Sequence, residues 1–236
     1  MTAIRRPWER DKILRDIVEW DTANWSRAIK FWERHTQQDL GSVRALEVGC
    51  GNGGLSLWIA LHGGRCLCTD LEGPRPMAVE KHKRFGVESL IQYAPLDATA
   101  MTFENEFDVV LFKSVLGGVG RNGRRDRQRQ AMDAFYRALK PGGELLFAEN
   151  LVASSLHRLM REKFTSWGNY WCYMTADELS SCMAAYANVD MKLVGFLGAF
   201  GRTETQRRML GSLDSAFVER LVPRAWRYLA FGVARK

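Results

Sequence analysis

The 236-residue sequence has no apolar run approaching the ~18 residues needed to cross a membrane. Its opening residues, Met1-Thr2-Ala3-Ile4-Arg5-Arg6-Pro7-Trp8, carry two arginines with no apolar stretch behind them, so no secretory signal is expected. Cys-x-x-Cys does not occur, and the five cysteines (Cys50, Cys66, Cys68, Cys172, Cys182) are odd in number. That usage argues against a disulfide framework and leads to the expectation of a reduced, cytoplasmic protein. Cys66 and Cys68 are two apart on a predicted strand, so they share a face and suit a core better than a metal site. Internal repeats, low-complexity tracts and Pro/Ser-rich linkers are also missing. One domain spanning 1–236 is therefore expected, long enough to bury a proper core.

What is present begins with charge. The net charge of +7 favours an anionic partner such as nucleic acid, a phosphorylated sugar or a membrane surface, although a merely basic soluble protein would also show it. The densest basic run holds Arg121, Arg124, Arg125, Arg127 and Arg129, opposed only by Asp126. Such runs are usually solvated, but this one falls beside a predicted active site.

The N-terminal apolar residues (Leu14, Ile17 and Val18, then Trp25, Ala28, Ile29 and Trp32) follow helical spacing. Further on, strands are predicted at 43–48, 65–70, 90–94, 107–112 and 144–149, with helices at 53–62, 76–85 and 127–139 between them. This alternation predicts an α/β fold with a parallel sheet covered on both faces. Thr175 and Glu178 spell a capping box opening a helix. A strand at 191–196, a polar stretch at 201–208, a short helix near 212–221 and a strand at 228–234 complete the prediction, with an antiparallel finish.

The most informative stretch is Ala45-Leu46-Glu47-Val48-Gly49-Cys50-Gly51-Asn52-Gly53-Gly54-Leu55, read as strand, glycine turn and helix start. Glycines let the chain turn tightly and bring the main chain against a ligand, with free helix N–H groups behind it. Gly49-x-Gly51-x-x-Gly54, with Asp70 placed to take a ribose hydroxyl, fits both NAD and S-adenosylmethionine. Four further features favour the second. Glu47 precedes the first glycine by two residues. Thr69-Asp70-Leu71 closes the second strand, and Pro95-Leu96-Asp97-Ala98 follows the third. The stretches 107–116 and 139–146 complete the set.

Together these resemble the motifs of class I S-adenosylmethionine-dependent methyltransferases, over roughly 43–148 and the last two strands. The resemblance implies a Rossmann-like, seven-stranded, mostly parallel sheet with an antiparallel last strand. It further implies an N-terminal helical cap (1–40), a cofactor half (43–150) and a substrate half (151–236). It assigns cofactor contact to Glu47, Gly49, Cys50, Gly51, Asn52, Gly53, Asp70, Leu71, Asp97, Ala98, Lys113 and Ser114, with S-adenosyl-L-homocysteine as product. Because this cofactor has no phosphate, a carboxylate such as Glu47 suits its ammonium group and would repel a pyrophosphate.

The acceptor is less legible. An Asn/Asp-Pro-Pro-aromatic turn and a Pro-Cys nucleophile are both absent, which excludes two nucleic-acid subclasses. Glu149-Asn150 is the only hint of a metal, and none is expected. Where many small-molecule members carry a base, this chain has Gly117-Gly118. His157 is the first candidate base, ahead of Lys113, His35 and Glu149, whereas His62 and His82 fall on outer helices. Trp25, Arg158, Arg161 and Trp167 are candidate acceptor contacts, packing being the alternative for each. A small-molecule acceptor, anionic or carbohydrate, methylated on oxygen is expected, with a faint similarity to bacterial enzymes of surface-polysaccharide assembly. An RNA methyltransferase, a non-catalytic cofactor-binding partner protein and an NAD oxidoreductase stay open as alternatives.

Overall fold

The computed structural model describes residues 7–165 and 170–236. Strands β1 (Arg44–Val48), β2 (Arg65–Asp70), β3 (Ile91–Pro95), β4 (Phe107–Lys113), β5 (Leu139–Asn150), β6 (Asn188–Val194) and β7 (Leu229–Arg235) form one sheet in the order 3-2-1-4-5-7-6. The first five run parallel, and β7 lies antiparallel between β5 and β6. This is the expected Rossmann-like sheet.

Burial on both faces explains why the central strands are almost wholly apolar. Their side chains alternate between two cores. Ala45, Val109, Leu111 and Leu146 face one, with α1 (Pro7–Val18), α2 (Thr22–His35) and α3 (Gly54–His62). Leu46, Val48, Val110, Phe112, Leu145 and Phe147 face the other. The order of strands reverses between β1 and β4, which opens a crevice at their carboxyl ends.

Further helices are α4 (Pro76–Arg84), α5 (Leu116–Val119), α6 (Arg125–Ala138), α7 (Ser155–Phe164), α8 (Ala176–Ser181), α9 (Glu204–Leu213) and the short α10 (Glu219–Leu221). Thr175 caps α8 through Glu178 in the capping box read from the sequence.

The tail departs from expectation. Residues 204–208, read as polar loop, are the first turns of α9, and a π-turn, Asp214–Val218, continues it. Thr203 and Gln206 form a second capping box at its start, a signal present in the sequence. β5 also begins five residues early, because Lys140-Pro141-Gly142-Gly143 joins the strand rather than ending α6 as a loop. There Gly143 O accepts from Lys236 N at 3.0 Å and Gly142 N donates to Lys236 O at 3.1 Å.

The N-terminal cap is fastened to this tail. Glu204 accepts from the main-chain N–H groups of Asp21 (3.0 Å) and Thr22 (2.6 Å), so α9 supplies the anion for the exposed start of α2. Tyr228 donates its hydroxyl to Asp21 and accepts from Asn24 at 2.8 Å, and Trp32 donates to Gly232 O at 2.9 Å.

Candidate functional site

The crevice is floored by the glycine turn, in which Gly49, Gly51 and Gly53 all have left-handed φ (66°, 54° and 72°). Two glycines there have different reasons to lack a side chain. A Cβ on Gly54 would sit 1.9 Å from the Ile17 carbonyl oxygen, so the start of α3 lies directly against the end of α1. A Cβ on Gly51 would meet nothing within 4 Å, so that position presents bare main chain to open space.

Asp70, at the end of β2, fixes this loop. One carboxylate oxygen accepts from Gly51 N and the other from Leu71 N, both at 2.8 Å. Each oxygen keeps a lone pair for a ligand hydroxyl.

Glu47 is turned differently from the expectation. Its buried carboxylate accepts from Leu55 N (3.2 Å), Ser56 N (2.8 Å) and Ser56 Oγ (2.5 Å), capping the first turn of α3. Burial pushes its carboxyl up to about 7 against the pull of those bonds.

Glu149 does the same service for α5, accepting from Val115 N and Leu116 N at 2.8 Å each. It too is pushed up to about 7 by burial.

A cavity of about 570 Å³ opens over this floor. Of the twelve expected cofactor residues it brings together Glu47, Gly49, Cys50, Gly51, Lys113 and Ser114. Asp70 adjoins it through Gly51. Asn52, Gly53, Leu71, Asp97 and Ala98 do not line it, and Ala98 is buried in the second core. Asp97 accepts from Thr99 N and Oγ1 at 2.8 and 2.7 Å, and these bonds hold its carboxyl below the usual range.

Lys113 is half-buried at the end of β4, its ammonium 5.3 Å from the Trp20 ring centroid and 4.9 Å from that of Trp25. Among the described residues no carboxylate pairs with it. Desolvation lowers its pKa to about 8, while Glu19, Glu47 and Glu149 pull the other way. Asn150 donates to Ser114 Oγ at 2.9 Å, and both line the cavity.

Trp20, an N-terminal tryptophan for which site contact and packing were both open, also lines it, as do Glu19, Arg75, Trp171 and Arg207, which were not singled out from the sequence as site residues. Apart from the neighbours Glu19 and Trp20 they come from separate segments, and no local motif joins them. Trp171 follows the candidate acceptor contacts Arg158, Arg161 and Trp167 closely in the sequence. Its ring would be 2.8 Å from a Cβ on Gly117, so Gly117-Gly118 makes room for an indole.

The first candidate base and the described candidate acceptor contacts fall outside this cavity. His157 does not line this cavity and is 1% exposed. Its Nε2 faces the Phe196 carbonyl at 2.9 Å and therefore carries the proton, leaving Nδ1 to accept from Ser154 Oγ at 2.8 Å. Burial lowers its pKa to about 4, and Phe196 and Phe200 flank the ring. The imidazole is thus neutral with both nitrogens engaged.

Trp25 is fully buried in the first core. Arg161 donates Nη1 to the carbonyls of Leu151 (2.7 Å) and Val152 (3.2 Å), bracing the chain after β5. Arg158 is exposed, and Trp167 lies outside the described residues. In the basic run, Arg124 pairs with Asp126 at 2.8 Å, Arg125 pairs with Glu178, and Arg127 lies 3.9 Å from Asp97.

Residues 46–147, which include the glycine turn and β4, match the family model described as "Methyltransferase domain". This stretch is similar to a methyltransferase domain. Around it, the chain is 28% identical over 147 residues to the ubiquinone biosynthesis O-methyltransferase of Pseudomonas putida (strain GB-1), covering 61% of this chain and 57% of that protein. It is 32% identical over 110 residues to a ubiquinone/menaquinone biosynthesis C-methyltransferase of Ruegeria sp. (strain TM1040), covering 45% and 42%. The chain therefore spans about half the length of these curated relatives. Among solved structures it is similar to the Haemonchus contortus phosphoethanolamine N-methyltransferase 2 in complex with S-adenosyl-L-methionine. The TM-score is 0.64 at 19% identity, covering 98% of this chain and 58% of that one, which shows a shared fold.

The donor set around the crevice suits S-adenosylmethionine. Bare main chain at Gly51, an anchored carboxylate at Asp70 with lone pairs to spare, and the acid Glu19 on the cavity wall match a ligand with hydroxyl and cationic groups.

Proposed function

We propose that the chain is an S-adenosylmethionine-dependent methyltransferase that methylates a hydroxyl oxygen of a small molecule, as one domain. The observation that carries this reading is the cavity over Gly51, walled by the ends of β1 and β4 and bordered by Asp70. Bound there, the cofactor supplies an electrophilic methyl group.

In this reading Asp70 accepts from the ribose hydroxyls while keeping its bonds to Gly51 and Leu71. The Gly49–Gly51 main chain lies against the methionine portion. Glu47 keeps α3 in place rather than meeting the ligand, because its lone pairs are largely taken. Trp20 and Trp171 exclude water, so that orientation carries much of the rate.

The acceptor's proton goes to Lys113 Nζ. A lysine with its pKa lowered to about 8 is neutral in roughly a tenth of molecules at pH 7 and in more as the pH rises, as a general base requires. His157 is not given this role, since neither nitrogen is free to take a proton. Sugar hydroxyls belong among the acceptors to be tried first.

Calorimetric titration with S-adenosylhomocysteine and with NAD tests the reading. Saturable binding of the first alone supports it. Binding of NAD with none of S-adenosylhomocysteine overturns it.

A further inference from the structure

We propose that a second cavity, beside the first, seats a phosphate group carried by the acceptor; this rests on the methyltransferase reading above. The second cavity has a volume of about 440 Å³ and shares Arg207 with the first, so the two are neighbours. Arg161, Arg202 and Arg207 line it together with Met160, Phe164 and Phe200, and among the described residues no Asp or Glu does.

The state of these guanidinium groups is the informative point. None of the three is in a salt bridge among the described residues. Arg202 lies over the Phe164 ring at 5.0 Å and makes no side-chain hydrogen bond to any described residue. Arg207 donates Nε to Gly201 O at 2.9 Å and keeps both Nη groups, its carbon 5.7 Å from the Trp20 centroid. Arg161 uses Nη1 on two carbonyls and keeps Nη2. Asp21 is close enough to feel Arg207, but its carboxylate is bonded to Tyr228.

Three cations lining one pocket without an anion raise its positive potential, and a bound anion relieves their mutual repulsion. The guanidinium fork matches the oxygens of phosphate, and a dianion answers three cations better than a carboxylate does. Met160, Phe164 and Phe200 supply an apolar wall for the body that bears the phosphate. Arg207, at the junction, then lies between the anion and the methyl-donor cavity.

The test titrates phenyl phosphate, benzoate and benzyl alcohol calorimetrically into protein saturated with S-adenosylhomocysteine. Phenyl phosphate is expected to bind at least tenfold more tightly than benzyl alcohol, and more tightly than benzoate. Arg202→Gln should weaken phenyl phosphate about tenfold, as loss of a charge-assisted hydrogen bond does. The exposed, paired Arg124→Gln should leave it within twofold. Unchanged S-adenosylhomocysteine affinity in Arg202→Gln shows the variant folded, and Arg202→Lys, retaining the charge, replaces it if it does not fold.

Phenyl phosphate binding no better than benzyl alcohol, or indifferent to Arg202, overturns the proposal, and tighter benzoate overturns the choice of phosphate. If S-adenosylhomocysteine itself fails to bind, the methyltransferase reading falls. The same titrations on the protein alone still decide whether the cavity takes the anion.

Discussion

Alanine substitution of Gly51 and of Gly54 should separate ligand contact from packing within one turn. In Gly51→Ala the new residue would have to hold φ near +54°, a left-handed conformation that costs an L-residue about 1–2 kcal/mol. For a chain of this size each kcal/mol lowers Tm by roughly 2–4 °C, so a fall of about 2–8 °C is expected. Nothing in the protein lies within 4 Å of the added methyl, so its other effect falls on whatever occupies the cavity. S-adenosylhomocysteine affinity should drop at least tenfold, about 1.4 kcal/mol.

Gly54→Ala has the opposite profile. Its Cβ would overlap the Ile17 carbonyl at 1.9 Å, and main chain cannot rotate away as a side chain can. α1 has to shift from α3, at a cost of about 3 kcal/mol or more and about 6–12 °C in Tm. Scanning calorimetry and ligand titration on both variants provide the check. If Gly51→Ala keeps its affinity within twofold, the open face of the turn is not where the ligand lies.

Asp70→Ala should weaken S-adenosylhomocysteine at least tenfold by calorimetry, and unchanged affinity would refute its place in the site. Lys113→Met should lower kcat by about 10²-fold or more with cofactor affinity within about threefold. With wild-type enzyme, kcat should rise with pH through about 8 as the amine loses its proton; a flat profile across that range removes Lys113 as the base. Folding stability should fall as pH rises toward 7. Burial raises Asp21, Glu47 and Glu149 to about 7 from 3.8, 4.5 and 4.5, so the native state holds more protons than the unfolded chain in that window. Each contributes on the order of 3 kcal/mol, which is present below its unfolded pKa and lost through its folded one. His157, lowered from 6.5 to about 4, opposes them over its own window, so the net fall should be clearest near pH 7 in urea midpoints.

The sheet and the glycine turn were legible because buried parallel strands must be short apolar runs, and a main chain that meets a ligand needs glycine. The Thr175–Glu178 cap was legible for a similar local reason, and the matching cap at Thr203–Gln206 carried an equal signal inside a stretch too polar to suggest a helix. Roles that depend on distant partners were not legible. Proximity to β5 made His157 a candidate base, but Phe196, 39 residues later, takes one of its nitrogens. Lys113 ranked behind His157 as a base, and only the fold brings Trp20 and Trp25, from the N-terminal cap, beside its ammonium. Glu47 was placed near a ligand's ammonium, whereas the start of its own following helix claims the carboxylate.

Charge shows the same limit most clearly. The run from Arg121 to Arg129 is the obvious basic feature of the sequence, and folding supplies carboxylates to three of its five arginines. Exposed pairs of that kind contribute little stability, but they cancel the local field that an anion would follow. Arg161, Arg202 and Arg207 are spread over more than forty residues, and of the three only Arg161 was a candidate acceptor contact in the sequence. Folding brings them to one cavity and, among the described residues, gives none of them a carboxylate. An anion responds to uncompensated charge, and compensation is set by the tertiary structure. The partner suggested by the net charge of +7 is therefore to be sought at the three separated arginines and not along the contiguous run.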